Sequence, residues 1–338
     1  MRFIQIGAGR FGLSWLQVLR DYPGAELAAV VDVVPENLAK AREATGLPEA
    51  ALFRDPDEAL ASVDADAVLV VTPPPTHKDL ALKAIRAGRH ALLEKPLAHT
   101  YEEAAELLEA ARGRRVAVAV SQNYRWRRPL LTVKRLLAEE TVGRVGYVEY
   151  AFRKAMRFGG WRDAYSDILL EDMSIHHFDL IRFLTGSEAA SVYAESFRPA
   201  WSWFSGNPSA GVWIEMEAGL RVHYFGSWVA RGKETTWNGD IRIVGDQGAI
   251  ELIDDEIRVW TGDPELGAEC RVVPADPAPY EDRTASLDDF VRSVREGRPP
   301  ATTIEDNFLS FELTCAAIAS ARSGAKLALE HFRNARDN

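Results

Sequence analysis

Cysteine is nearly absent. The two residues, Cys270 and Cys315, lie far apart in a chain of 338. They make neither a metal-type pair nor a disulfide framework, which points to a soluble protein in a reducing compartment, the cytoplasm. Long apolar runs are missing too. A stretch such as Ala67 to Val71 is far too short to cross a bilayer. The first residues, Met1-Arg2-Phe3-Ile4-Gln5-Ile6, run directly into a glycine motif, leaving no room for a signal peptide. Positive charge is in deficit: 40 Lys and Arg stand against 50 Asp and Glu, a formal net charge of −10. Phosphate binding needs a cationic face, so a nucleic-acid surface is disfavoured. The basic run Arg125 to Arg128 is too short to reverse that. Repeats, heptads and low-complexity tracts are lacking as well. The remainder is ordinary globular composition, 47 % apolar and 27 % charged. At 338 residues the chain is too long for one core, so two domains are expected.

The first part alternates strand and helix patterns. Phe3 to Ile6 reads as a buried strand, Phe11 to Arg20 as a helix, and Leu27 to Val31 as a second strand closed by Asp32. Pro35 to Ala44 is helical, with proline in the first turn. Ala67 to Val71 is a third strand, halted by Pro73-Pro74-Pro75. Thr76 to Ala87 and Thr100 to Ala111 read as threonine-capped helices. His90 to Leu93 and Val116 to Val120 complete the strands. Such alternation predicts a doubly wound parallel sheet of the Rossmann kind over residues 1–121.

Strand patterns dominate from 122 to 338. They include Val145 to Phe152, Ser191 to Ser196, Gly211 to Glu217, Leu220 to Trp228, Ile241 to Val244 and Ala249 to Leu252. Helices are expected at Leu130 to Ala138, Glu171 to Leu184 (ended by Gly186), Ala285 to Glu296 and Ile304 to Ser323. This reads as an α+β domain with a large, mostly antiparallel open sheet. The aromatic stretch Trp201-Ser202-Trp203-Phe204 is expected to be a loop anchored by burial, with an oligomer contact as the alternative.

Gly7-Ala8-Gly9-Arg10-Phe11-Gly12 has the form G-x-G-x-x-G, follows a strand and opens a helix. The glycines allow a tight turn and close backbone approach to a pyrophosphate. The helix start offers unpaired N–H groups and partial positive charge. Asp32 ends the second strand twenty residues beyond Gly12, where the fingerprint wants an acid for the adenine ribose. Val33 and Val34 follow, with no adjacent arginine. A carboxylate repels the 2′-phosphate of NADP and accepts from the 2′-hydroxyl of NAD, so NAD is expected over NADP.

Two segments carry candidate chemistry. Glu94-Lys95-Pro96 follows the fourth strand, and ligands of open α/β sheets lie beyond the carboxyl ends of strands. Lys95 is there either a catalytic ammonium or an ordinary surface lysine. The second segment is Asp172-Met173-Ser174-Ile175-His176-His177-Phe178-Asp179. On an α-helix Asp172 and His176 share a face. Histidine can take a proton near neutral pH, as alcohol oxidation requires when hydride leaves the carbon. Lys95 would stabilise the developing alkoxide. Asp172 would bind a substrate hydroxyl and orient the imidazole. His176 could instead be a satisfied core histidine, or Asp172 and His176 could hold a metal. No spaced cysteines and no HExxH motif support a metal, and none is assigned. His177, about 100° further round the helix, is the packing residue, and Asp179 is structural.

Together these pieces resemble the glucose–fructose oxidoreductase, inositol dehydrogenase and MocA family over essentially the whole chain. The resemblance runs through Gly7 to Gly12, Asp32, Thr72-Pro73-Pro74, His77, Ala87-Gly88-Arg89-His90 and Glu94-Lys95-Pro96-Leu97. It continues in Trp161-Arg162-Asp163, the Asp172…His176…Asp179 segment, Gly245 to Ala249 and Phe290 to Pro300. It implies Lys95, Asp172 and His176 as the catalytic group and a cis Lys95–Pro96 bond. It implies Thr72, Pro73, Glu94 and Lys95 beside the cofactor, together with Gly7, Gly9, Arg10, Phe11, Gly12 and Asp32. His77 is counted with that group, although it more often closes a helix start. The substrate-side set implied is Lys95, Arg125, Asp172 and His176. The outer face of the second sheet implies a homodimer or homotetramer. Asp167-Ile168-Leu169-Leu170-Glu171 replaces the family's glycine-rich run, Ser174 replaces a glycine and the histidine is doubled, so the pocket entrance differs.

The expected activity is an NAD-dependent dehydrogenase moving hydride between the nicotinamide and a sugar, inositol or related polyol. Lysine, with a reference pKa of about 10.4, would need strong depression to act as base; histidine needs none. Two rival readings stay open. One is a redox-neutral sugar hydrolase, lyase or epimerase that cycles its NAD. The other is a non-catalytic sensor of NAD and sugar.

Overall fold

The computed structural model describes residues 1–262, 265 and 267–334, apart from the side chains of Trp161, Asp163 and Asn334. The chain divides into two compact units. The first comprises Met1–Asn123 and Pro279–Phe308, the second Tyr124–Ala278 and Leu309–Asn338.

The first unit is built on β1 (Arg2–Ile6), α1 (Arg10–Asp21), β2 (Glu26–Val31), α2 (Pro35–Thr45), β3 (Leu52–Phe53) and α3 (Pro56–Ser62). β4 (Ala67–Val70), α4 (His77–Arg86), β5 (His90–Glu94), α5 (Tyr101–Ala111) and β6 (Val118–Ser121) follow. Its six strands run in the order β3-β2-β1-β4-β5-β6, and every pair is parallel. The order reverses between β1 and β4. That switch point is where a doubly wound sheet opens a crevice for a ligand. The central strands are buried on both faces, and β4 is buried at all four positions, as helices on both sides of a parallel sheet require. β3 and α3 were not expected from the sequence. A two-residue strand has no periodicity to detect.

The second unit holds α6 (Arg128–Ala138), β7 (Val145–Arg153), α7 (Ile175–Thr185), β8 (Ala189–Phe197), β9 (Ser209–Met216) and β10 (Arg221–Ser227). β11 (Asp240–Gly245), β12 (Gly248–Ile253), β13 (Glu256–Thr261) and β14 (Glu269–Val273) complete its main sheet. With β15 (Leu327–Ala328) the order is β14-β13-β12-β11-β7-β10-β9-β8-β15. All pairs are antiparallel except β7 with β10. Alternation places Val222, Tyr224 and Gly226 of β10 in the core and Arg221, His223 and Phe225 outside.

The division departs from a single cut at residue 121. After β14 the chain returns to the first unit as α8 (Asp282–Glu296). There Leu287, Phe290 and Val291 share a core with Phe3, Trp15, Leu19, Leu69 and Leu92. Apolar spacing marked α8 as amphipathic but could not say which sheet it would cover. α9 (Ile304–Ser323) starts in the first unit and ends in the second, before α10 (Leu329–Asn334). In the aromatic loop Phe204 is 3 % exposed, but Trp201 is 53 % exposed. Only part of that stretch is a buried anchor.

Candidate active site and cofactor cradle

The glycine motif forms the turn from β1 into α1, at the switch point. Gly7 has φ +101°, and a Cβ there would lie 2.4 Å from the Val71 carbonyl oxygen and 3.0 Å from Thr72 Cγ2. Only glycine fits this turn. A Cβ on Gly12 would lie 2.3 Å from the Gly7 carbonyl oxygen, so that glycine lets the helix press against the strand. Gly9 is different: a Cβ would meet nothing within 4 Å. Its missing side chain keeps space open in front of the α1 amides, where a dinucleotide pyrophosphate would lie. Arg10 and Phe11 open the helix and are exposed.

Two polar groups hold this cradle in shape. Buried Gln5 donates from Nε2 to the carbonyls of Gly7 (2.8 Å) and Gly12 (2.9 Å). The sequence reading missed Gln5. Its only signal was an amide inside an otherwise apolar strand. Asp32 accepts from the backbone N–H of Ala8 (2.7 Å) and Val34 (2.9 Å) and from Asn37. A carboxylate has about four acceptor positions; each oxygen here takes two contacts, the Asn37 amide being shared between them at 3.2 Å, and a ribose hydroxyl would take the place of that amide. The residues present therefore fit an NAD dinucleotide.

Glu94 ends β5 and Lys95 stands just beyond its carboxyl end. Glu94 is 6 % exposed and accepts from Trp15 Nε1 (2.6 Å) and the Lys95 backbone N–H (3.1 Å). Burial pushes its carboxyl pKa up, against the pull of the Trp15 hydrogen bond and of the Lys95 and Arg283 charges. The Lys95–Pro96 bond is cis. Thr72 borders Gly7, and Pro73 precedes the short 3-10 turn Pro74–Thr76. Both ring nitrogens of His77 face backbone carbonyls. It heads α4 fully buried, with Nδ1 2.7 Å from the Pro96 carbonyl and Nε2 2.8 Å from that of Thr72. It ties together the two loops that carry Thr72 and Lys95. Thr76 does not cap α4 by its side chain; its hydroxyl donates to Pro73 O, and its oxygen lies 2.7 Å from Thr72 Oγ1.

In the second unit the segment from Asp172 to Asp179 is not a plain α-helix. Leu169–Ser174 forms a π turn that runs into α7. The Ser174 hydroxyl donates to the carbonyl of Leu169, five residues back, and its oxygen lies 3.2 Å from Tyr224 Oη. Such turns are rare and recur at functional sites. Asp172 sits within it, so the four-residue spacing to His176 crosses a change of helical pitch. Asp172 faces Arg162 Nε at 3.4 Å from each carboxylate oxygen. The side chains of Trp161 and Asp163, which flank Arg162, lie outside the described residues.

His176 is 6 % exposed and stacks on Tyr124, with centroids 4.3 Å apart and planes at 10°. His177 is fully buried among Tyr150, Phe152 and Tyr224, with Nδ1 3.0 Å from the Tyr224 hydroxyl. Burial pushes its pKa down to about 3. It is the packing member of the pair. Asp179 is a buried hub, accepting from Arg125 Nε and Nη2 at 2.6 Å each and from Ser310 Oγ at 2.7 Å. Arg125 thus acts as a strut to Asp179. Its guanidinium fork is 6 % exposed and committed to Asp179. Among the described residues no group of three His, Cys, Asp or Glu could hold a metal ion. No described helix is long and apolar enough to cross a membrane.

Residues 1–122 match the model of an oxidoreductase family with an NAD-binding Rossmann fold. Residues 130–251 match the GFO/IDH/MocA C-terminal domain. An inositol 2-dehydrogenase of Pseudarthrobacter chlorophenolicus is 30 % identical over 347 residues, 98 % of this chain and 96 % of that protein. A D-apiose dehydrogenase of Paraburkholderia graminis is 29 % identical, covering 96 % and 88 %. An oxidoreductase from Agrobacterium radiobacter, solved with NAD+, L-tartaric acid and magnesium, superposes with TM-score 0.88 at 23 % identity, covering 98 % of this chain and 99 % of that one. Fingerprint, cradle, second sheet and full-length relatives agree: the chain belongs to the GFO/IDH/MocA family of NAD-binding oxidoreductases.

Proposed function

We propose that the protein is an NAD-dependent dehydrogenase that oxidises a secondary alcohol of an inositol, sugar or related polyol. The observation that carries the reading is the cradle. Gly9 keeps open the space before α1, while Gln5 and Asp32 hold the loop from behind. Full-length similarity to an inositol 2-dehydrogenase and a D-apiose dehydrogenase supports the polyol class.

Bound nicotinamide supplies the hydride acceptor. The chain supplies the proton chemistry. His176 takes the hydroxyl proton as the carbon–hydrogen bond gives up its electron pair and the carbonyl forms. Lys95 holds the developing alkoxide by its positive charge. Asp172 binds a neighbouring hydroxyl, with Arg162 holding the carboxylate in place. Lys95→Ala should cost about 10²-fold or more in turnover, as loss of an oxyanion donor does. Steady-state assays of that variant check it. NADH formation followed across inositols, aldoses and sugar acids tests the activity itself. One class giving steady turnover supports the reading. NADH that never accumulates while substrate is consumed points to redox-neutral cycling.

We also infer that a second copy of the chain covers the outer face of the large sheet. Tyr147, Trp213 and Phe225 on three adjoining strands are exposed there, and Trp213 stacks on His223. Exposed aromatic patches of this kind mark interfaces. Trp213→Lys should shift the mass measured by light scattering to that of a monomer. A monomeric wild type contradicts the inference. With two free cysteines and no disulfide, the cytoplasm is the fitting compartment.

A further inference from the structure

The imidazole of His176 does not stand alone. The 3-10 turn Asn123–Trp126 leads into α6. At three residues per turn, positions three apart lie one above the other. Arg127 follows that turn with its backbone N–H on the Tyr124 carbonyl at 3.2 Å, and its guanidinium carbon lies 3.4 Å from the Tyr124 ring centroid. The His176 ring lies 4.3 Å from the same centroid and nearly parallel to it. Two groups that close to one centroid cannot share a face of the ring, so Tyr124 is sandwiched between them. Arg127 is held in turn: its Nη1 donates to Asn238 Oδ1 at 2.8 Å. Asn238 Nδ2 donates to Asp255 at 2.8 Å, and the Tyr150 hydroxyl donates to the Asn238 carbonyl.

We propose that Tyr124, backed by Arg127, is the positioning surface that fixes the plane of the His176 imidazole for proton transfer. This rests on the reading of His176 as the proton acceptor. The last torsion of a histidine side chain is a broad, two-fold rotor. A proton acceptor needs its lone pair aimed within hydrogen-bond reach of the hydroxyl. A flat ring on one side of the imidazole removes that freedom. The guanidinium on the far side keeps the tyrosine from tilting, and Asn238 keeps the guanidinium from leaving. The ring face is what constrains the imidazole, so the ring without its hydroxyl should suffice.

The test is a variant series assayed with the most active alcohol of the panel. Tyr124→Leu should lower kcat about 30-fold, the scale of a small misplacement of a catalytic group. KM for the alcohol and NADH affinity by titration should stay within about twofold. Tyr124→Phe should restore kcat to within about threefold. Arg127→Met, at a half-buried position less exposed to folding failure, should give a loss between the two. In a His176→Ala background, Tyr124→Leu should add nothing, because it acts through the missing ring. In wild-type protein without substrate, the His176 ring protons should resonate upfield under the tyrosine ring current. They should lose that shift in Tyr124→Leu. The inference is overturned if Tyr124→Leu and Arg127→Met keep wild-type kcat while His176→Ala is inactive, or if the Tyr124 and His176 losses add. If His176→Ala itself turns over normally, the proton-acceptor reading has failed instead.

Discussion

Gly9 and Gly12 sit three residues apart in one turn yet are glycine for opposite reasons. A methyl on Gly12 collides with the Gly7 carbonyl; one on Gly9 points into open space. Gly12→Ala should therefore destabilise the fold by about 1–3 kcal/mol, the usual cost of overpacking. Gly9→Val should leave unfolding unchanged and weaken NADH binding at least about tenfold, because its side chain fills the ligand's space. Chemical denaturation and NADH fluorescence titration separate the two outcomes. His177 makes a pH prediction. Its ordinary pKa of 6.5 falls to about 3 through burial. Between those values the unfolded chain binds a proton that the folded chain refuses. Stability is thus lost as pH falls below about 6.5, with a slope approaching 1.4 kcal/mol per pH unit for one proton. His177→Phe should flatten that slope in denaturation curves taken from neutral pH to pH about 4. An unchanged slope would remove burial of this ring as the cause.

Among the elements, α7 and its leading π turn carry the most. The sequence placed one helix over this segment and ended it at Gly186, and the helix does end there, with that glycine in a left-handed cap. What it could not show was the π turn. One extra residue per turn leaves no trace in apolar spacing when nearly every position is buried, as α7 is. The role of Arg125 was hidden for a similar reason. Sequence order brings Arg125 near the motif but cannot show that its guanidinium is spent on Asp179. Removing one partner of a buried ion pair leaves the other charge stranded, at about 3–5 kcal/mol. Arg125→Ala should cost that much in denaturant unfolding while NADH affinity, held by the other unit, stays near wild type. A loss of substrate affinity without loss of stability would return Arg125 to the substrate side. The glycine turn, by contrast, was legible from residues alone, because its spacing follows directly from backbone sterics and helix electrostatics.

At the scale of the whole chain, the class of both sheets and the positions of their main strands along the sequence were readable. The return of α8 to the first unit was not, since amphipathic spacing tells which face is buried and not by what. β13 and β14, at the edge of the large sheet, were also missed, and β14 is exposed along most of its length, which erases the alternation that identifies a strand. A ligand that binds only the folded chain must raise its unfolding temperature. NADH at about a hundred times its Kd should therefore stabilise the protein by about 2.7 kcal/mol. NADPH should do less, because Asp32 stands where the fingerprint would place the adenine ribose.

The account turns on one imidazole. The most direct test replaces His176 with alanine and measures, on the same preparation, turnover of the best alcohol and the Kd for NADH. The account predicts turnover reduced about 10²-fold or more, the scale of general-base catalysis, with NADH affinity within about twofold of wild type. Turnover that survives the substitution would contradict it.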